Sequence, residues 1–219
     1  MDITQWFQNN YVEVFGAVTG IVYVLLEIRQ NIWLWPVGIV TSAVYIWVFF
    51  TSKFYADMSL QVYYLAISIL GWYWWLHGRK EGEKGSKGER EKGRRGEGEN
   101  EGGGEELKVT RLRFRTGIYV AIAFMILYAV MWIILSRLTD SPVPEWDSFV
   151  TSLSVVATWM LARKIYEHWY LWIIVNSTSA LIFAMRGLYP TMVLYIIYGI
   201  MSFTGLTEWK KSLVNKPVK

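Results

Sequence analysis

Residues 116–136 read TGIYVAIAFMILYAVMWIILS and contain no charged side chain. A helix needs roughly 20 apolar residues to cross the hydrocarbon core of a bilayer, so this stretch is long enough to span a membrane. Lipid offers no hydrogen-bond partner to exposed backbone groups, whereas a helix pairs those groups within itself. The stretch therefore predicts a membrane-spanning helix and, with it, an all-α membrane protein.

Six further apolar segments of similar length surround this stretch. They lie at 11–28, 33–50, 56–77, 147–164, 169–186 and 189–209. The chain has 219 residues, of which 53% are hydrophobic, and it contains no cysteine. The composition therefore predicts seven spanning helices and excludes a disulfide framework, a thiolate nucleophile and a Cys-ligated metal. Residues 1–10 lack the basic start of a secretory signal, so we expect the first helix to be retained.

Lysine and arginine are distributed unevenly between the two sides of the predicted membrane. With the N-terminus outside, 19 of the 22 basic residues lie on the cytoplasmic side, and only Lys53, Arg137 and Arg186 lie outside. Basic residues favour the cytoplasmic side of a membrane. We therefore predict an outside N-terminus and a cytoplasmic tail at 210–219. The same distribution accounts for the pI near 9.1 without a nucleic-acid partner.

The long connection at 78–115 holds most of the charge. Its central part, 81–106, is almost entirely Gly, Glu, Lys and Arg, and such a segment has no apolar side chains to bury. The glycine spacing at 88–93 is similar to that of a phosphate-binding loop, but Arg94 and Arg95 stand where that motif has Lys and then Ser or Thr. We predict a disordered cytoplasmic tether, with contact to anionic lipid as the alternative.

Two parts of the chain resemble each other. An offset of 134 residues gives seven identities between 55–75 and 189–209, and an offset of 137 gives five between 34–43 and 171–180. Composition bias is the alternative, but neighbouring helices that match in order favour a duplication. We predict two parallel three-helix repeats joined by a linker helix, a plan found in transporters that bind substrate at the repeat interface. The predicted order is bundle 1–77, charged loop 78–115, linker helix 116–136, bundle 147–209 and tail 210–219.

Polar and aromatic side chains lie at membrane depth in the third and sixth helices. Trp169, Trp172 and Asn176 are spaced so that they share one helix face. Gln61 lies at a similar depth in the third helix, one turn from Tyr64. Indole faces stack on a flat ring, and carboxamides both donate and accept hydrogen bonds. The pattern predicts a pocket for a heteroaromatic ring with an amide; the alternatives are helix–helix hydrogen bonds and, for Trp169, an interfacial anchor.

Three further residues are possible supports for such a pocket. Glu27 lies near a helix end, and we expect it to pair with Arg29 or with a basic residue of 163–164 rather than with substrate. Asp57 suits the N-terminal end of its helix, where a carboxylate is favourable. Trp35 opens the second helix in an aromatic cluster of the kind that marks a membrane interface.

Several functional classes lack the residues that they need. The two histidines, His77 and His168, lie at cytoplasmic helix ends, and Lys210 lies at the end of the last span. We therefore expect no metal cluster, no His–carboxylate relay and no buried Schiff-base lysine. No series of carboxylates crosses the membrane, as many proton-coupled pumps require. The sequence favours a passive carrier without a catalytic residue, metal or cofactor over a membrane enzyme.

Three motifs are similar to those of a known family, the Pnu family of bacterial vitamin transporters and in particular its nicotinamide riboside transporters. The motifs are Trp169-x-x-Trp172-x-x-x-Asn176 in the sixth helix, FYADM at 54–58 with LQVYY at 60–64 in the third, and Trp35-Pro36-x-Gly38 in the second. The resemblance covers nearly the whole chain except 81–106.

The resemblance implies a fold similar to that of the SWEET sugar transporters and a homotrimer in the bacterial cytoplasmic (inner) membrane. It implies facilitated diffusion of a vitamin, trapped by a cytoplasmic kinase and used for NAD biosynthesis. It also implies that Trp169, Trp172 and Asn176 line the site, with Gln61 as a further ligand. Nicotinamide riboside is the expected cargo, with thiamine second and riboflavin also carried in the family. An alternative of another class is a seven-helix sensor or scaffold that recruits a partner through 81–106.

Overall fold

The computed structural model describes four parts of the chain, namely residues 3–51, 55–77, 107–139 and 142–214, with backbone alone for 3–13, 55–57, 138 and 214. The predicted tether at 81–106 lies outside these residues, and so does the side chain of Asp57.

Seven α-helices make up most of the described residues. They are α1 (Ile3–Ile28), α2 (Leu34–Thr51), α3 (Tyr55–His77), α4 (Phe114–Leu138), α5 (Pro144–Ala162), α6 (His168–Met185) and α7 (Tyr189–Val214). The predicted boundaries agree with these to within three residues, except that α1 begins earlier and α7 ends later. The prediction of an all-α protein with seven helices is confirmed.

Three helices of the described residues are by themselves long and apolar enough to cross a membrane. Their spanning segments are Leu34–Thr51, Phe114–Arg137 and Tyr189–Leu213. The segment in α4 has no buried residue, and large side chains such as Tyr119 and Met125 are more than half exposed. An outward apolar surface of this length suits lipid. Helix α5 differs, since more than half of its residues are buried and several of these are serines.

Helices α2 and α3 pack through a close contact between a tryptophan and a glycine. The ring of Trp35 lies directly against Gly71, where any larger side chain would overlap it. The same ring meets Trp75 edge-on, with the centroids 5.4 Å apart. All three residues are therefore fixed in one interface, and Trp35 is completely buried there.

Helices α6 and α7 make the same contact 134 residues later. The ring of Trp169 lies directly against Gly205, and its centroid is 5.9 Å from that of Trp209, again nearly edge-on. Helix α1 packs against both α2 and α7, while α5 packs against α3 and α6. The two helix pairs are thus joined through α1 and α5.

The contacts correct the predicted alignment of α2 with α6. The offset of 137 pairs Trp35 with Trp172, whereas the packing contacts pair Trp35 with Trp169 at the same offset of 134 that relates α3 to α7. The turns that precede the two helices agree with this offset, because Gln30 and Lys164 both have a positive φ, of 52° and 49°. An alignment based on residue identities alone therefore paired Trp35 with Trp172 instead of Trp169.

A short extended segment, residues 107–113, lies against the turn between α5 and α6. The N–H of Thr110 donates to the carbonyl of Lys164, and the carbonyl of Thr110 accepts from the N–H of Tyr166, both at 2.9 Å. These bonds form an isolated parallel bridge. The end of the predicted charged loop at 78–115 is therefore hydrogen-bonded to the turn between α5 and α6. The sequence analysis did not anticipate this contact.

Candidate functional site

A cavity of about 320 Å³ lies between the helices. Six of the seven described helices contribute to its wall, and α4 does not. A volume of this size is at the lower end of the range for small-molecule sites. The helices therefore meet around it, and the wall combines side chains that are far apart in the sequence.

The five residues predicted to form a pocket all lie on the wall of this one cavity. Trp169, Trp172 and Asn176 come from α6, and Gln61 and Tyr64 come from α3. The spacing argument for a shared face on α6 thus agrees with the structure. That these residues bind a substrate stays a prediction.

Asn176 is buried and makes a contact that the alternative interpretation anticipated. Its side-chain N–H donates to the hydroxyl of Ser202 on α7 at 3.1 Å. The hydroxyl of Ser202 donates in turn to the carbonyl of Tyr198 at 2.8 Å. The carboxamide is therefore held in one orientation by a neighbouring helix, and it also faces the cavity.

The two tryptophans of the wall bring hydrogen-bond donors as well as ring faces. Within the described residues, the indole N–H groups of Trp169 and Trp172 have no hydrogen-bond partner. A buried donor without a partner is unfavourable, and a polar group in the cavity would remove that cost. The α6 wall therefore combines two indole side chains with one oriented carboxamide.

Helix α5 adds hydroxyl groups that the sequence analysis missed. Ser154 and Thr158 line the cavity one helical turn apart. Each donates to the carbonyl four residues earlier, at 2.8 Å, which leaves its oxygen able to accept a further bond. The signal was present in the sequence, because serines and threonines recur along α5 on the side that the structure buries. Tyr63 ties α3 to this helix by donating to the carbonyl of Val155 at 2.8 Å.

Glu27 also lines the cavity, but its partner is not the predicted one. Its carboxylate lies 3.1 Å from Nε2 of His168, and the two side chains are 2% and 0% exposed. The expected pairing with Arg29 or with 163–164 is therefore wrong. The sequence analysis did not anticipate this His–carboxylate pair, because the fold brings together two residues that are 141 positions apart.

The basic residues of the α5–α6 turn are engaged elsewhere, which explains the wrong expectation. The guanidinium of Arg163 lies 4.2 Å from the ring centre of Trp74, and the ammonium of Lys164 lies 4.2 Å from that of Trp75. Such cation–π contacts place both positive charges over α3.

Trp35 lies behind the cavity rather than on its wall. Its contacts are with Gly71 and Trp75 in the α2–α3 interface, so it supports the wall by packing. The neighbouring Gly38 does line the cavity. Among the described residues, no group of three or more His, Cys, Asp or Glu side chains could hold a metal ion.

The chain is similar to several characterised proteins. The model of a family described as nicotinamide mononucleotide transporter matches residues 10–211. The nicotinamide riboside transporter PnuC of Escherichia coli is 28% identical over an alignment of 230 positions, which covers 94% of this chain and 87% of that protein. The riboflavin/roseoflavin transporter RibM of Streptomyces davaonensis is 23% identical over 197 residues, which cover 90% and 83%.

One solved structure is similar in fold. The crystal structure of the vitamin B3 transporter PnuC superposes with a TM-score of 0.67 at 22% sequence identity. The superposition covers 97% of this chain and 86% of that one. All four matches extend over nearly the whole chain.

Proposed function

The chain belongs to the nicotinamide mononucleotide transporter family and is therefore a membrane transporter, and we propose that it carries nicotinamide riboside by facilitated diffusion. The observation that supports this cargo is the α6 wall of the cavity, where Trp169, Trp172 and Asn176 lie side by side. The nicotinamide ring stacks on the indoles, and its carboxamide exchanges hydrogen bonds with Asn176. Gln61 and Tyr64 complete the site from α3.

The proposed architecture is that of two parallel three-helix repeats, 1–77 and 147–209, joined by the linker helix α4. All seven helices cross the membrane, and the fold is SWEET-like. The constant offset of 134 supports this plan, because it relates a turn, two interfaces and the α3–α7 identities at once. The cavity then lies between the repeats, where rocking of one against the other would open it to either side.

The proposed setting is the bacterial inner membrane, with the N-terminus outside and the C-terminus in the cytoplasm. The distribution of lysine and arginine supports this orientation. A cytoplasmic kinase that phosphorylates the vitamin would make uptake one-way and supply NAD biosynthesis. We propose a homotrimer with one cavity in each protomer, which rests on the resemblance to the Pnu family.

Riboflavin is the second candidate cargo, and the similarity to the riboflavin/roseoflavin transporter RibM favours it. The isoalloxazine ring is flat and carries amide groups, so it too would stack on Trp169 and Trp172. It is larger and uncharged, whereas nicotinamide riboside is a small cation.

The test is direct binding to the purified protein in detergent, with nicotinamide riboside, riboflavin and thiamine measured side by side. Quenching of tryptophan fluorescence is the readout, because Trp169 and Trp172 lie on the cavity wall. We expect saturable binding of nicotinamide riboside and weak binding of the other two. Preferential binding of riboflavin or of thiamine would replace the cargo, and binding of none would overturn the proposed function.

A further inference from the structure

The pair of Glu27 and His168 gives the cavity an ionisable group in its wall. Glu27 supplies the only carboxyl group among the described residues that line the cavity, and none of those residues is Lys, Arg or His. His168 lies directly behind it and is completely buried. The charge that the wall presents to a cargo therefore depends on the protons that these two side chains hold.

The hydrogen bonds of His168 determine how many protons the pair holds. Nδ1 lies 2.7 Å from the carbonyl of Ile165, and a carbonyl only accepts, so Nδ1 carries a proton. Nε2 lies 3.1 Å from the carboxylate of Glu27, so a second proton must lie between these two atoms. The pair is an imidazolium with a carboxylate or an imidazole with a carboxylic acid. Its net charge is zero in both forms.

Aromatic rings hold the pair in place. The centroid of the His168 ring is 4.7 Å from that of Trp169 and 4.6 Å from that of Trp209. The indole N–H of Trp209 also donates to the backbone carbonyl of Glu27 at 3.0 Å, which fixes the start of that side chain.

Other ionisable side chains lie on α1, α3, α7 and the connections next to α1 and α6. They are Tyr23 of α1, Arg29 just after α1, Tyr64 of α3, Arg163, Lys164, Tyr166 and Glu167 of the α5–α6 turn, and Tyr198 and Glu208 of α7. Tyr23 interacts electrostatically with Glu27, and Arg29 is exposed. Arg163 and Lys164 lie over tryptophan rings of α3. Within the described residues, His168 lies within ion-pairing distance of Glu27.

A cationic cargo changes the balance at this pair. A cavity with a neutral wall removes part of the water around a cation without supplying a counter-charge, which is unfavourable. A free carboxylate of Glu27 would compensate for this. If Glu27 turned to the cargo while His168 kept both protons, a buried imidazolium would lose its counter-ion, which is equally unfavourable.

We propose that binding of a monocationic cargo releases the proton shared by Glu27 and His168, so that the carboxylate of Glu27 becomes the counter-charge of the cargo. One positive charge enters the cavity and one leaves as a proton taken up by the buffer. The wall thereby selects a cation over a neutral ring of similar shape. This inference rests on the proposed function, in which the cargo is the pyridinium cation nicotinamide riboside.

The experiment is calorimetric titration of the full-length protein with nicotinamide riboside, at one pH, in three buffers that differ in ionisation enthalpy. The dependence of the observed heat on that enthalpy counts the protons released. We expect close to one proton per bound molecule for the unchanged protein. Glu27→Gln should release none and bind at least tenfold more weakly, because Gln keeps a hydrogen bond to His168 but cannot ionise. Glu208→Gln is the matched control, since it removes an exposed carboxylate of α7, and it should behave like the unchanged protein.

A second measurement needs no variant. Release of one proton makes the association constant of nicotinamide riboside rise with pH, by up to tenfold per pH unit, while that of neutral riboflavin stays flat. Binding without proton release, or with equal release in Glu27→Gln, would overturn this inference and leave the cargo assignment intact. Failure of nicotinamide riboside to bind the unchanged protein would overturn the proposed function instead.

Discussion

Helices α2 and α3 pack through Trp35 on Gly71, and helices α6 and α7 pack through Trp169 on Gly205. The contacts are the same, but their relation to the cavity differs. Trp169 lines the cavity, whereas Trp35 lies behind it. One helix pair thus uses its tryptophan for packing alone, and the other uses the same contact to build a wall.

The residues that follow the two tryptophans widen this difference. One turn on, α2 has Gly38 where α6 has Trp172, and a further turn on, α2 has Ser42 where α6 has Asn176. All four residues line the cavity. The contact of a tryptophan ring with a glycine is the same in both helix pairs. Recognition of an asymmetric cargo needs different groups on different sides, and the larger polar and aromatic ones lie on α6.

The largest expected effect comes from removing the carboxamide of α6. Asn176→Ala loses its bond to the cargo and leaves the buried carboxamide of the cargo without a partner, which together cost about 3 kcal/mol of binding free energy, or roughly a hundredfold in Kd. Ser42→Ala is the matched change in α2 and should alter Kd less than threefold. Fluorescence titration measures both. Normal binding by Asn176→Ala would remove this residue from the site.

The next effect separates packing from recognition at the two glycines. Gly71→Ala and Gly205→Ala each force a methyl group against a tryptophan ring, which should cost about 1–3 kcal/mol of stability. Only Gly205→Ala displaces a residue of the cavity wall, so it alone should weaken binding, by about tenfold. Thermal unfolding in detergent gives the first quantity and Kd the second. Equal loss of binding in both variants would contradict the distinction between the two tryptophans.

A smaller effect is expected on α3. Gln61→Leu keeps the approximate size of the side chain but removes its amide, and the loss of about 1 kcal/mol should weaken binding fivefold to tenfold. Tyr195 lies on the cavity wall 134 residues later, and Tyr195→Phe should change Kd less than threefold. Kd values from the same fluorescence titration would show a reversed order if α7 rather than α3 supplied the polar ligand.

The smallest effect is expected from the charged segment. Replacing 81–106 with a Gly-Ser linker of equal length should leave uptake of radiolabelled nicotinamide riboside into cells within twofold of normal, because the described residues that line the cavity all belong to helices outside that segment. Loss of uptake with retained binding would favour the alternative in which this segment recruits a partner.

The sequence predicted the positions of some residues of the site and missed others. Trp169, Trp172 and Asn176 were placed together correctly, because residues three and four apart on one helix always share a face. The counterpart of Trp35 in α6 was not identified correctly. That helix has two tryptophans, Trp169 and Trp172, and only the contact of Trp169 with a glycine distinguishes them. Ser154 and Thr158 were missed, since a serine or threonine in a helix bonds its own backbone whether or not it faces a cavity.

The sequence by itself determined the seven helices, since the length and apolar character that a spanning helix needs are properties of one continuous segment. It also determined which residues share a helix face. The tertiary structure alone decided that Glu27 meets His168 and that α5 contributes hydroxyl groups. Such contacts depend on how each helix is rotated and shifted against its neighbours, and that follows from the packing of all the side chains together.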